Sequence, residues 1–297
     1  MSAPREPVQR TQRAIAATLA ATAAFTISDT LMKLSSSGLP TGQTIALRGV
    51  FGTIAMTMLA RAMGSLCLDR RLLSPAVILR TLCEIGASIF FFLALYLMPI
   101  GNAMAILQFL PLALTAASAI VLREAVGWRR WAATGIGLVG VLLIVRPGSN
   151  EYGWPSLLML ACVGCITVRD LATRRIAAAI PSMSIAWLTA VAVMCGGVLL
   201  DPPWHWSPPS PRAWVFLAAA ALVTVAGNLL MIVCTRTAAV AVVAPFRYAT
   251  VVFAILAGYV VWHEVPDSQT LVGTLIVIGA GLYTFHRERL RRHEIAP

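Results

Sequence analysis

The chain has 297 residues, of which 59% are hydrophobic and 12% charged, with a formal net charge of +11. An ordinary soluble domain carries about 25% charged residues, and no water-soluble globule can hide this much apolar surface, so the bilayer must be the solvent. The one-sided placement of the basic residues excludes the nucleic-acid reading that the net charge invites.

In chain order, residues 1–13 are polar and lack the basic-then-apolar order of a cleavable signal peptide, so they read as a cytoplasmic N-terminal segment. Runs of about 20 apolar residues can cross the hydrocarbon core. Ten follow: 14–35, 42–63, 76–97, 100–122, 128–145, 155–175, 183–200, 213–235, 240–262 and 269–286. The longest connections, Arg61–Pro75 and Asp201–Arg212, are too small for catalytic domains. A cytoplasmic tail, 288–297, ends the chain, and "HRERLRRHE" reads as a solvated helix end against anionic lipid.

Seventeen of the 23 Lys and Arg fall on one side of this alternation, whereas Lys33, Arg146 and Arg212 fall on the other and Arg48, Arg169 and Arg247 lie within spans. The positive-inside rule then places both termini in the cytoplasm, and the expected location is the inner membrane. The six cysteines lie in or beside spans. Cys162 and Cys165 have redox or zinc spacing but no partner His or Cys nearby, so they read as packing residues.

The chain repeats itself. Asp29 aligns with Asp170, Lys33 with Arg174 and Pro40 with Pro181 at an offset of 141, and Glu124 aligns with Glu264 at 140. The units cover 14–146 and 155–287 and hold five spans each. An odd number inverts the second copy, giving an all-α polytopic fold of ten helices in two inverted five-helix repeats. Secondary transporters use this arrangement and bind substrate near the midplane between repeats.

The residues "AMAILQFLPLALTAASAIVLREAVGWRRWAATGIGLVGVLLI" and "AVVAPFRYATVVFAILAGYVVWHEVPDSQTLVGTLIVIGAGL" each show a small-residue span, a proline, a terminal glutamate and a glycine-rich span. With "ALRGVFG" in the second span, the chain resembles the drug/metabolite transporter superfamily, EamA type. The resemblance implies export of small metabolites, with the bacterial aromatic amino-acid exporters as the nearest guess. Span 7 departs from it, carrying Thr189 where span 2 has Arg48.

Intramembrane charges are costly and mark pathways or partners. Asp29 and Lys33 lie roughly 22 and 28 Å along the first span, and Asp170 and Arg174 lie at matching depths from the other side. The two pairs read either as symmetry-related gates or as helix-end pairs. Arg48 and Arg247 are candidates for a substrate carboxylate or for structural pairing, and Glu84 for a local pair with Arg80. Gln108 and Tyr248 align at an offset of 140 beside Pro111 and Pro245, and with Asn228 they line a cavity or bond between helices. Phe90, Tyr96 and Trp187 supply aromatic surface for an amphipathic substrate. Spans 5 and 10, rich in glycine, read as peripheral packing or dimer-contact helices.

All four His lie in loops or at span ends, so proton coupling would need Asp29, Glu84 or Asp170. There is no Walker loop for ATP, no H-E-x-x-H, no Ser/His/Asp set and no clustered metal ligand. The expectation is a transporter, not an enzyme, with no cofactor or metal, monomeric or a weak homodimer. Its partners are the lipid bilayer and a small-molecule substrate, an amino acid or similar metabolite.

Overall fold

A computed structural model describes residues 5–62, 70–123, 127–146, 153–176, 180–237 and 244–295, and every element among them is helical. The helices are α1 (Arg5–Ser35), α2 (Thr41–Ala62), α3 (Pro75–Leu97), α4 (Ile100–Leu107), α5 (Leu110–Val121), α6 (Trp128–Val145), α7 (Gly153–Thr173), α8 (Ser182–Leu200), α9 (Pro211–Thr237), α10 (Ala249–Trp262) and α11 (Ser268–Ile295). Nine described spans are long and apolar enough to cross a membrane. A further helix, α2, has 22 residues, with Arg48 inside it and Arg61 in its last turn.

Proline sets many of the starts. Pro40, Pro99 and Pro181 stand just before α2, α4 and α8, and Pro75 and Pro211 open α3 and α9. A first helical turn has no partner for its N–H, so a residue without one is tolerated there. Spans 4 and 9 are broken. The first passes from α4 to α5 through Gln108 and Phe109, and the second passes from a 3-10 turn, Ala244–Tyr248, into α10. The breaks fall at the aligned positions Gln108 and Tyr248, so the discontinuity belongs to the repeat.

Packing follows the same symmetry. The most extensive contacts join α1 to α9, α3 to α7, α6 to α11 and α2 to α8. Exchanging the repeats turns the first pair into the second and maps the other two onto themselves. Glycine permits both self-paired crossings. A Cβ on Gly197 would stand 2.7 Å from the Ala46 nitrogen and from the Gly42 carbonyl, and one on Gly273 would stand 2.6 Å from the Gly140 carbonyl. Spans 5 and 10 therefore pack on each other and join the two repeats.

α1 meets α9 through buried hydroxyls. Thr18, Thr22, Thr26 and Thr30 repeat at four-residue spacing, and each donates to the carbonyl four residues earlier. That satisfies the hydroxyls inside the helix, as an apolar interior requires. Ser28 reaches across to the Ala220 carbonyl at 3.0 Å and shares a bond with Thr224 at 2.7 Å.

The largest fully buried side chains, Met32, Ile45, Leu95, Ile100, Met104, Ile144, Met159 and Leu217 among them, gather toward one end of the bundle. This is the end where α1 and α3 finish and α2 and α9 begin, the outer end in the sequence-based topology.

Candidate functional site

A cavity of about 870 Å³ lies between α2, α3, α8 and α9. Spans 2 and 3 correspond to spans 7 and 8, so each repeat contributes the same two walls. The lining uses the second half of α2 (Arg48 to Leu59) and the first half of α3 (Arg80 to Ser88). It also uses the first half of α8 (Met183 to Val193) and the second half of α9 (Ala221 to Met231). All four stretches lie toward the predicted cytoplasmic end, opposite the packed core.

The walls are largely aliphatic, with charge at both ends. At the limit nearest the packed core, Arg48 donates Nη2 to Thr224 Oγ1 at 3.1 Å, with its guanidinium over the Phe92 ring at 5.3 Å. Asp29 and Arg48 lie within electrostatic reach of each other. Toward the mouth, Arg80 donates Nη1 to Thr189 Oγ1 at 2.5 Å. Glu84 accepts from Arg169 Nη1 at 3.0 Å, and Arg169 also bonds Asp170 at 2.8 Å.

The far end is sealed, largely by contacts between the repeats. Lys33 Nζ donates to the Met98 carbonyl at 2.8 Å and to Glu264 Oε1 at 3.1 Å, and lies over the Trp262 ring at 4.8 Å. The Ile100 N–H donates to Glu264 Oε2 at 3.2 Å. His263, at φ 55, forms the left-handed turn that ends α10, and Glu264 N–H then returns to the Gly258 carbonyl at 3.1 Å. Positive φ is uncommon outside glycine, and here the turn aims the glutamate back into the bundle. Arg123, the aligned residue of the first repeat, also has positive φ, 54. Glu124 lies outside the described residues.

Further links close the same end. The Gly42 N–H donates to Asp201 Oδ2 at 2.5 Å. Gln43 and Ser207 exchange two bonds, at 2.7 and 3.1 Å. The Tyr96 hydroxyl meets Thr44 Oγ1 at 2.9 Å, and Arg146 pairs with Asp267. Five of these pairings, namely Lys33–Glu264, Ile100–Glu264, Gly42–Asp201, Gln43–Ser207 and Arg146–Asp267, join the first repeat to the second.

Of the residues expected to meet substrate, Arg48, Glu84 and Asn228 line the cavity. The others are engaged elsewhere. Tyr96 belongs to the seal. Trp187 spends its N–H on Thr57 Oγ1 at 2.8 Å, between α8 and α2. Phe90 packs, partly buried, against the core. Gln108 fills the break in span 4, and Tyr248 the break in span 9 against Gly281. Arg247 is exposed.

The gate expectation changes in its partners. Four-residue spacing suggested that Lys33 answers Asp29, but the Lys33 side chain reaches Glu264, while Asp29 faces Arg48. Asp170 pairs with its neighbour Arg169, and Arg174 is exposed. Glu84 bonds Arg169 on α7 rather than forming a local pair with Arg80, because Arg80 turns toward α8. Sequence reasoning missed Arg80, Thr224 and Glu264 as site residues. Glu264 had a signal, its repetition as Glu124.

The family model of the EamA-like transporter family matches residues 12–146 and 153–285. Among curated proteins, the chain is 27% identical over 198 residues to the riboflavin transporter of Vibrio cholerae, covering 66% of each chain. It is 27% identical over 274 residues to the pseudopaline exporter CntI of Pseudomonas aeruginosa, covering 88% of this chain and 93% of that one. It is 21% identical to the S-adenosylmethionine uptake transporter of Rickettsia prowazekii, covering 64% of this chain and 65% of that one. These three are named for riboflavin, pseudopaline and S-adenosylmethionine rather than for amino acids. A crystal structure with a TM-score of 0.61 and 22% identity covers 91% of this chain and 96% of its own, showing the same fold. The chain belongs to the EamA-like transporter family: it is a multi-pass membrane protein and a transporter of small metabolites.

Proposed function

We propose that this EamA-like transporter exports amphipathic metabolites, amino acids or molecules of similar character, by alternating access. The observation that supports this reading is a cavity with matching walls from both repeats, open at one end and sealed at the other by contacts between the repeats. In the orientation given by the basic residues, both termini face the cytoplasm and the open end faces inward, across the inner membrane. Substrate enters there and meets Arg48 at the sealed limit of the cavity. Release on the other side requires Lys33 to leave Glu264, and Gly42 and Gln43 to leave Asp201 and Ser207. Every one of those separations moves one repeat against the other, which is the rocking that inverted repeats permit.

The reading is tested by flux in liposomes containing the purified protein. The panel holds aromatic and neutral amino acids, riboflavin and S-adenosylmethionine, each run with and without a pH gradient. At least one compound should move above the rate of empty liposomes and lose most of that rate in Arg48→Gln. Rates equal to empty liposomes for the whole panel would refute the reading.

A further inference from the structure

The two charged ends of the cavity lie far apart, and their separation bears on what fills it. α3 carries the scale. Phe92, beneath the Arg48 guanidinium, is eight residues beyond Glu84 and twelve beyond Arg80. At 1.5 Å per residue these separations are about 12 and 18 Å along the helix. Arg80 leans inward to reach Thr189, so the two poles are on the order of 12 Å apart. Between them the wall is mostly apolar, with Met56, Val193 and Val225, and two polar side chains, Ser88 and Asn228, interrupt it.

Among the described residues, the charges in and around the cavity balance. Arg48 is answered by Asp29, and Arg80 and Arg169 are answered by Glu84 and Asp170. A ligand with a net charge would upset that balance inside the membrane, where uncompensated charge is costly. Arg48 spends Nη2 on Thr224 and carries further N–H donors in its planar fork, which a ligand carboxylate can take. Glu84 accepts from Arg169, and a carboxylate can accept more than one hydrogen bond, so a ligand ammonium or other donor can bond it as well. An α-amino acid carries both charges on one carbon and reaches only one pole.

We propose that the cavity is a two-pole site for an elongated zwitterion. Its carboxylate takes the Arg48 fork beside Thr224, its apolar middle lies along the aliphatic wall, and its distant ammonium or other donor reaches Glu84, with Arg80 alongside. The proposal deepens the transport reading and rests on it. It selects, within amphipathic metabolites, those whose opposite charges stand about 12 Å apart.

Straight-chain ω-amino acids of rising length, from glycine to 10-aminodecanoate, serve as probes, because each joins one carboxylate to one ammonium through an apolar chain of carbon–carbon bonds about 1.5 Å long, and only the longest reaches both poles. Binding is read from the rise in thermal midpoint of the detergent-purified protein with probe concentration. Half-maximal stabilisation should come at a concentration at least about tenfold lower for 10-aminodecanoate than for glycine, the factor that one charge-assisted hydrogen bond supplies. Arg48→Lys should weaken every probe. Glu84→Gln leaves Arg169 its bond to Asp170 and should weaken 10-aminodecanoate more than glycine, erasing the advantage of length. Equal affinity at all lengths, or an equal loss for short and long probes in Glu84→Gln, overturns the proposal. Absence of stabilisation by every probe, while another metabolite still crosses liposomes, overturns the two-pole site and leaves transport standing. Absence of flux for every compound overturns the transport reading itself.

Discussion

Glu264→Gln should unlatch the outer end. The substitution preserves shape but ends the ion pair, and the one amide oxygen cannot serve both Lys33 and the Ile100 N–H as the carboxylate does, while Lys33 keeps the Met98 carbonyl at 2.8 Å and the Trp262 ring at 4.8 Å. The lost bond is charge-assisted and largely shielded, with the Lys33 side chain 11% and the Glu264 side chain 23% exposed. Such a bond contributes on the order of 2 kcal/mol, and the state with the outer end open has none of it. At about 1.4 kcal/mol per factor of ten, the open population should rise about 30-fold. The assay uses a cysteine at Ile45, which is buried behind the seal and lines the cavity, in a background without the six native cysteines. A membrane-impermeant thiol reagent added outside should react about 30-fold faster in the Glu264→Gln protein, as long as the open state stays the minority. Unchanged outside reactivity, with the protein folded to its normal thermal midpoint, would refute the assignment of Lys33–Glu264 as a gate.

Three further outcomes follow from the packing. Gly197→Ala forces a methyl against the Gly42 carbonyl and should destabilise the bundle by about 1–3 kcal/mol, seen as a lower unfolding midpoint in detergent; an unchanged midpoint would contradict the close crossing. Trp187→Phe loses the bond to Thr57 and should cost about 1 kcal/mol while leaving transport within about twofold; a collapse of transport at normal stability would return Trp187 to the substrate site. The Arg146 hydrogen bond holds the Asp267 carboxyl below its ordinary value of 3.8. The folded value is the lower one, so the stabilisation is complete above that ordinary value and fades as pH falls through the folded value. The effect is small because Asp267 is 48% exposed, and Asp267→Asn should remove it from a plot of midpoint against pH.

The architecture was legible because its signals are local or periodic. Apolar runs give spans, prolines give their starts, and an offset of 140 or 141 gives the repeat. The odd span count then gives inversion without any knowledge of packing. Partnerships were less legible. Spacing of four residues pointed Lys33 to Asp29, but its nearest answering charge is 231 residues away and arrives through the turn at His263. Arg80 looked like a basic residue at the cytoplasmic edge, yet its long stem carries the guanidinium inward to Thr189. Tyr96 and Trp187 looked available as aromatic surface, and each spends its polar atom on a threonine of α2. In each case the deciding fact is which helices face one another, which only the folded repeats supply.

The central claim is that transport requires the two repeats to separate at Lys33 and Glu264. Cysteines at these two positions, in the background without native cysteines, can be joined by a cleavable bifunctional thiol reagent about as long as the replaced side chains. In liposomes that carry a transported metabolite, the account predicts that complete cross-linking brings flux down to the level of empty liposomes and that cleaving the linker restores it. Flux that persists at full cross-linking would contradict it.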